Sequence, residues 1–348
     1  MSEIFAEAKN VSKRFFTEPD FAEKIAAKLG AQSDPRVVHA LDGVDLQIRK
    51  GEVVGLVGES GCGKSTLGRV ISGMLPATEG EVFIKGEERN KLRGKAAKNA
   101  RLNTQIIFQD PMSSLNPRKR VVDIIGEAPV AHGLIKRSEK EKLVTELLET
   151  VGLDPSMANR YPHQFSGGQR QRIGIARALA VKPEFLICDE SIAALDISIQ
   201  AQVINLFMDL RKSFDLTYLF ISHDLSVVNH IADRVVIMYL GRIVEAGTAE
   251  TIFENPNHPY TAALLAEVPR IDRRHRAFSP VKGEIPSPMN PPAGCHFHPR
   301  CPYAMDRCRN ERPVLRDLEN GHQSACHLND LEQRPLFDNT GHKRENLS

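Results

Sequence analysis

The chain has 348 residues, room for one large domain or two modest ones, and its 41% hydrophobic and 26% charged residues are the balance of a soluble globular protein. A formal net charge of +2 gives no reason to expect nucleic acid or another polyanion as the main partner. No uninterrupted apolar run of about 18 residues or more offers a bilayer span. The start, Met1-Ser2-Glu3-Ile4, lacks the basic-then-apolar pattern of a signal peptide, so a cytoplasmic location is expected.

Taken in chain order, Val53-Val54-Gly55-Leu56-Val57 is a short apolar run ending at glycine, the pattern of a buried parallel strand. A helix should follow from Lys64, with Leu67, Val70, Ile71 and Met74 on one face, weakened at Gly73 and ended by Pro76. Glu81–Lys85 and Gln105–Phe108 read as further strands. From Asp110 to about Phe165 the strand runs give way to helical spacing, as in Leu143, Leu147, Leu148 and Val151, stopped at Gly152. Strands return at Phe185–Asp189, Tyr218–Ser222 and Val235–Met238. Alternating strands and helices imply a mainly parallel sheet covered on both faces, an α/β fold with a helical insertion. After about Pro269 the composition shifts to a proline-stiffened linker, Ile285-Pro286-Ser287-Pro288 and onward, then a cysteine-rich segment and a polar tail.

Gly58-Glu59-Ser60-Gly61-Cys62-Gly63-Lys64-Ser65-Thr66 places G-x-x-x-x-G-K-S where a strand meets a helix. Its glycines let the backbone wrap around phosphates and point N–H groups inward, and the helix N-terminus adds partial positive charge. Lys64 is expected on the β- and γ-phosphates of ATP and the Ser65 hydroxyl on Mg²⁺. Asp189 and Glu190 end a four-residue apolar strand, Asp189 suited to the Mg²⁺ shell and Glu190 to polarising an attacking water. Gln109 follows a strand and can touch both Mg²⁺ and water. His223, in Ser222-His223-Asp224, can orient the water from another strand tip. Cys62 lies near a helix N-terminus, which can lower a thiol's pKa, although a tolerated small residue is the plainer reading.

Ser166-Gly167-Gly168-Gln169 is a second glycine-rich turn about a hundred residues further on, with Ser166 as N-cap and Gln169 at the third helical position, the pattern of a capping box. It is not a duplicate phosphate loop of the same fold; it suggests an active site completed by another subunit. Together with the loop at Gly58, Gln109, Asp189-Glu190, Ala194-Leu195-Asp196 and His223, it resembles the ATPase subunits of ABC transporters over about residues 1–250. The resemblance implies a P-loop NTPase, RecA-like core carrying an ABC helical insertion. It also implies that Ser166, Gly167, Gly168, Gln169 and Asp196 meet the ATP held by a partner subunit. Phe15 matches the family's adenine-stacking aromatic, with a core aromatic at a strand end as the alternative and Phe16 as a rival. The family usually has proline after the catalytic glutamate; here Ser191 follows, which frees a backbone N–H and relaxes φ. A working ATPase is expected, with a regulatory ATPase lacking turnover as the alternative.

Gln109-Asp110-Pro111, Leu115-Asn116-Pro117-Arg118, Arg160-Tyr161-Pro162-His163-Gln164-Phe165 and Asn255-Pro256-Asn257-His258-Pro259-Tyr260-Thr261 resemble the oligopeptide and dipeptide importer branch, which also includes nickel and opine importers. That implies a peripheral protein on the cytoplasmic face of the inner membrane. Its partners would be a second ATPase subunit (a sister chain, giving a heterodimer), two transmembrane permease subunits and, through them, an extracytoplasmic solute-binding protein. A soluble ABC ATPase of DNA repair or translation is the rival class, without the fused cassette, coiled coil or basic surface it normally carries. The expected division is an ATPase core at 1–109 and 167–268, a helical subdomain at 110–166 facing the membrane subunits, a linker at 269–294, a small Cys-rich C-terminal extension at 295–330 and a tail at 331–348.

The last four of the six cysteines, Cys295, Cys301, Cys308 and Cys326, are spaced C-x5-C-x6-C-x17-C. In a reducing compartment this favours a metal centre over disulfides. Four thiolates suit a [4Fe–4S] cluster, the favoured reading, or Zn²⁺, although the paired C-x-x-C of common zinc knuckles is missing. The C-terminal segment of peptide-importer ATPases is similar, and some of those carry iron–sulfur. His296, His298 and His327 are expected to face solvent rather than to substitute as ligands.

Overall fold

The computed structural model describes residues 3–17, 36–110, 114–267, 283–332 and 337. In chain order, β1 (Ile4–Thr17) and β2 (Arg36–Arg49) lead to β3 (Val53–Val57) and α1 (Lys64–Ile71). Then come β4 (Glu79–Ile84), β5 (Glu87–Glu88), α2 (Gly94–Asn103) and β6 (Thr104–Ile107). The insertion supplies α3 (Val121–Ala131) and α4 (Lys140–Thr150), and the chain returns through α5 (Gly167–Leu179), β7 (Phe185–Asp189), α6 (Ile197–Phe214), β8 (Thr217–Ser222) and α7 (Leu225–Ile231). It ends with β9 (Arg234–Tyr239), β10 (Arg242–Thr248), α8 (Ala249–Glu254), α9 (Pro259–Ala266), α10 (Asp306–Asn310), β11 (Arg316–Asp317) and β12 (Gln323–Ser324).

The main sheet runs β11-β12-β10-β9-β3-β8-β7-β6. Its β9-β3-β8-β7-β6 half is parallel throughout. Successive residues of these strands bury on opposite faces: Leu186, Cys188, Tyr218 and Phe220 in one core, Phe185, Ile187, Leu219 and Ile221 in the other. That two-sided burial is why the strands read as unbroken apolar runs rather than alternating ones. The first core takes in α3, α4 and α5 of the expected helical insertion and its return. The parallel sheet with its insertion is the architecture expected from the pattern.

Of the second sheet, ordered β2-β1-β4-β5 and antiparallel, which closes the other core over α1, the sequence reading found β4 and missed β1, β2 and β5. Its long strands hide their period. Asn10 takes a left-handed φ of 47°, Gly43 one of 62°, and register shifts flank both, so inward positions change phase within each strand. A second correction concerns Met74. The α1 helix stops at Ile71; Gly73 at φ 75° turns the chain, the Gly73 amide donates to the Val70 carbonyl and the Met74 amide to that of Arg69, and Met74 is 56% exposed.

The described residues of the C-terminal segment pack back onto the body. β12 pairs with β10 at Glu245 and Ala246, Phe297 buries in the first core, and the His39 amide donates to the Pro288 carbonyl. The part of the expected linker at 268–282, Pro111, and the tail residues 333–336 and 338–348 lie outside the described residues. Among the described residues no helix is long and apolar enough to cross a membrane.

Candidate nucleotide site

Register alone brings most of the expected residues to one edge of the sheet. Val57 pairs with Ser222, Ile221 with Asp189, and Cys188 with Ile107, so the loop after β3, the acids ending β7, His223 and Gln109 all leave the carboxyl ends of neighbouring parallel strands. That edge is where open α/β sheets bind ligands.

The loop Gly58–Gly63 is shaped by backbone that only glycine tolerates. Gly58 (φ 157°) would place a Cβ 2.1 Å from the Met238 carbonyl oxygen, and Gly63 (φ 106°), the N-cap of α1, one 2.3 Å from that of Ala40. Lys64 is buried, its Nζ donating to the Gly58 and Glu59 carbonyls at 2.7 and 3.0 Å. Ser60 and Gly61 are exposed and Thr66 is half-buried. Cys62 corrects one expectation: burial pushes its thiol up rather than the helix terminus pulling it down.

Ser65 Oγ donates to Asp189 Oδ1 at 2.6 Å, and the Arg69 guanidinium stands 3.9 Å from the same carboxylate. Burial pushes the Asp189 carboxyl up, against the opposing pull of the Ser65 hydroxyl and Arg69. A buried carboxylate touching a hydroxyl is a donor set suited to Mg²⁺. Glu190 turns out of the strand at φ 47° and is held by its amide on the Ile221 carbonyl; its Oε1 is 3.7 Å from His223 Nδ1. Ser191, standing where proline is usual, is buried. Gln109 and His223 are exposed at the same edge. Phe15 and Phe16 are both exposed, so neither is the core aromatic weighed as an alternative.

Ser166 caps α5 reciprocally: its Oγ accepts from the Gln169 amide at 3.3 Å and Gln169 Oε1 accepts from the Ser166 amide at 3.0 Å. Ser166 and Gly167 are exposed. The nearest side chains to Gly167 and Gly168 are Leu195 and Ile199, so this turn lies beside the exposed Asp196, the N-cap of α6.

The four C-terminal cysteines gather in space. The Cys295 amide donates to the Cys308 carbonyl at 2.9 Å, and burial, with the neighbouring cysteines adding to it, pushes the Cys301 and Cys326 thiols up to about 12. All are free thiols. Yet no group of three or more His, Cys, Asp or Glu side chains among the described residues is arranged to hold a metal ion, so tetrahedral Zn²⁺ does not fit. The histidines also differ from expectation. His296 and His327 are buried, bonded to the Leu240 and Glu311 carbonyls, and His298 is half-buried on the Cys295 carbonyl. The sequence reading missed Arg300, whose guanidinium reaches Glu59 in the glycine loop at 2.7 and 2.9 Å. Nothing in its local sequence signals a partner 241 residues away.

A glycine loop, a strand-end acid pair and a capped second turn on this sheet define an ATP-binding cassette. The sequence model of the family described as "ABC transporter" matches residues 41–193, and that of "Oligopeptide/dipeptide transporter, C-terminal region" matches 244–308. The chain is similar to an ATP-binding cassette, MJ0796, solved as a dimer in a post-hydrolysis state with ADP and Pi, at TM-score 0.59 and 28% identity over 70% of this chain and 98% of that one. Among curated proteins it is 52% identical to the oligopeptide transport ATP-binding protein AppF of Bacillus subtilis, over 84% of this chain and 90% of the relative. It is 46% identical to the dipeptide transport ATP-binding protein DppF of Escherichia coli, over 91% and 95%. The chain therefore belongs to the ATP-binding subunits of ABC transporters, in the oligopeptide/dipeptide branch, and its reaction is ATP hydrolysis.

Proposed function

We propose that this chain is the ATP-hydrolysing subunit of a peptide importer, peripheral at the cytoplasmic face of the inner membrane, and that it contributes half of each of two ATP sites. Gly58–Thr66 holds the phosphates and Phe15 stacks on adenine. Glu190 takes the proton of the attacking water, His223 orients that water, and Gln109 senses the γ-phosphate. Mg²⁺ would be held by Ser65, Asp189 and Gln109, where it supplies neutralising charge to the phosphates. Ser166, Gly167, Gly168, Gln169 and Asp196 meet the ATP of the partner ATPase, a sister chain. The insertion, especially residues 110–131, receives the coupling loops of two permease subunits, which a solute-binding protein feeds from outside. The core and insertion divide as the sequence pattern suggests, and the C-terminal segment joins the core through β12 and Phe297.

One observation carries the reading: the 2.6 Å contact of Ser65 with Asp189 and the 3.7 Å approach of Glu190 to His223 lie at one sheet edge, while the exposed Ser166 turn packs on Leu195 and Ile199. ATP binding to one chain then leaves the phosphates open on the side a second chain must fill. Peptides as cargo are favoured by the named relatives, which are oligopeptide and dipeptide transport proteins. A [4Fe–4S] cluster on Cys295, Cys301, Cys308 and Cys326 is favoured by four gathered free thiols. A four-iron cube needs its ligands further apart than a single ion does, and a structural role suits so short a segment.

Purification of the tagged chain from membranes, with metal analysis, tests the reading. The expected result is co-purification with permease subunits and a second ATPase, turnover well above that of the isolated chain, and about four irons with acid-labile sulfide per chain. Full turnover by the isolated chain would sink the half-site reading. A colourless, iron-free complex would sink the cluster alone.

A further inference from the structure

Glu59 is the first residue after Gly58 in the glycine loop, and both its amide and its carboxylate are held from beyond residue 238. The amide donates to the Tyr260 hydroxyl at 2.9 Å. The carboxylate accepts a two-pronged bond from Arg300, at 2.7 and 2.9 Å. Arg300 comes from the turn between Cys295 and Cys301, and its side chain is 4% exposed. Its guanidinium lies 5.8 and 6.0 Å from the ring centres of Tyr239 and Phe297, and its Nη1 donates to the Tyr239 hydroxyl at 3.4 Å.

Three aromatic rings make this a fixed support. Tyr239 and Tyr260 pack edge to face at 4.7 Å, and Phe297 meets each at 5.3 Å. Tyr260 is set in turn by the Asn255–Thr261 run. His258 Nδ1 accepts from the Tyr260 amide, and the Asn257 and His258 amides donate to the fully buried carboxylate of Glu245. His322, from the C-terminal segment, also bonds Glu245, at 2.7 Å. Two routes from the end of the chain thus converge on one loop residue, whose carbonyl is also an acceptor of Lys64 Nζ.

We propose that Arg300 is a positioning residue for ATP: by fixing Glu59 it sets the path of the phosphate-binding loop, so the C-terminal segment is part of the nucleotide site's support. This rests on the reading that Gly58–Thr66 holds ATP. If the pair merely fastened the segment to the body, its loss would lower stability and leave nucleotide affinity alone. A two-pronged guanidinium–carboxylate pair fixes direction as well as distance, which a loop that must present several amides requires.

The test uses the assembled transporter. Binding of a fluorescent ATP analogue to the wild type comes first, and failure there removes the ATP-site reading rather than this proposal. Arg300→Met is then expected to raise the KM for MgATP about tenfold, since it leaves a shielded carboxylate unpaired, with kcat changing less. Tyr260→Phe, which removes one neutral hydrogen bond, should raise KM about fivefold. The Glu59→Gln/Arg300→Met double variant should lose little more than Arg300→Met alone, because both changes break one contact. By reciprocity, MgATP should slow hydrogen exchange in residues 295–301 of the wild type. An unchanged KM in assembled Arg300→Met, additive single effects, or nucleotide-independent exchange would each overturn the proposal. If Arg300→Met does not assemble, Arg300→Lys, which keeps the charge and loses the fork, is read by the same KM criterion.

Discussion

Two helix starts in this chain are suited to phosphate, and they are finished differently. At α1 the approach is enclosed: Lys64 is buried, Ser65 is tied to Asp189, and Glu59 is gripped from the far end of the chain. At α5 the Ser166–Gln169 turn satisfies only itself, with Ser166 and Gly167 exposed and Ile197, at the start of the neighbouring α6, 86% exposed. The proposed division of the site between two chains would account for this contrast, with one half pre-built and the other left open.

The largest expected effect tests the enclosed half. Glu190→Gln keeps the shape and removes the proton acceptor, so hydrolysis in the assembled transporter should fall roughly 10²–10⁴-fold while ATP still binds. Wild-type turnover would remove Glu190 from its role and assign the proton of the attacking water to another acceptor. The open half is probed by Gly168→Ala, whose Cβ would sit 2.5 Å from Ile199 Cγ2 and displace the turn from the Leu195–Asp196 loop. A displacement of that size in a positioning element costs on the order of 10²-fold in rate. The contrast predicts that the isolated Gly168→Ala chain binds ATP like wild type. Equal losses of binding and hydrolysis would erase the distinction between the two halves.

How much of this was legible follows the range over which each signal acts. The glycine loop, the acid pair and the capping box are each written within a few residues, because each chemistry is local: a turn, a strand tip, a helix cap. The parallel strands were legible because burial on both faces leaves plain apolar runs. β1 and β2 were not, since left-handed turns at Asn10 and Gly43 break the two-residue period. Gathering of the four cysteines could be anticipated from spacing, whereas burial of His296 and His327 could not, because each is bonded to a carbonyl that only the fold brings near. The support of Glu59 by Arg300 and Tyr260 lies wholly in long-range packing, so the motif marks where phosphate is held without marking what holds the motif.

The smallest expected effect separates the halves by acidity. Burial holds His258 down at about 4, below its ordinary 6.5. Glu245 faces it and opposes that shift, and His322 shares the same carboxylate; Tyr260 and Phe297 are its other neighbours. Neutral His258 uses Nδ1 to accept the Tyr260 amide, and protonation would destroy that acceptor. Between pH 6.5 and about 4 the unfolded chain takes up a proton here and the folded chain does not, so stability falls as pH falls through that window and this group adds no further loss below it. Because His258 sets Tyr260 behind the glycine loop, hydrogen exchange should rise first in α9 and Glu59, with the Ser166 turn unaffected. His258→Asn, which keeps a side-chain acceptor at the helix cap and does not titrate, should flatten the melting temperature across that pH range. If His258→Asn keeps the wild-type pH slope, the acid sensitivity arises elsewhere, and the enclosed half owes its shape to Arg300 more than to Tyr260.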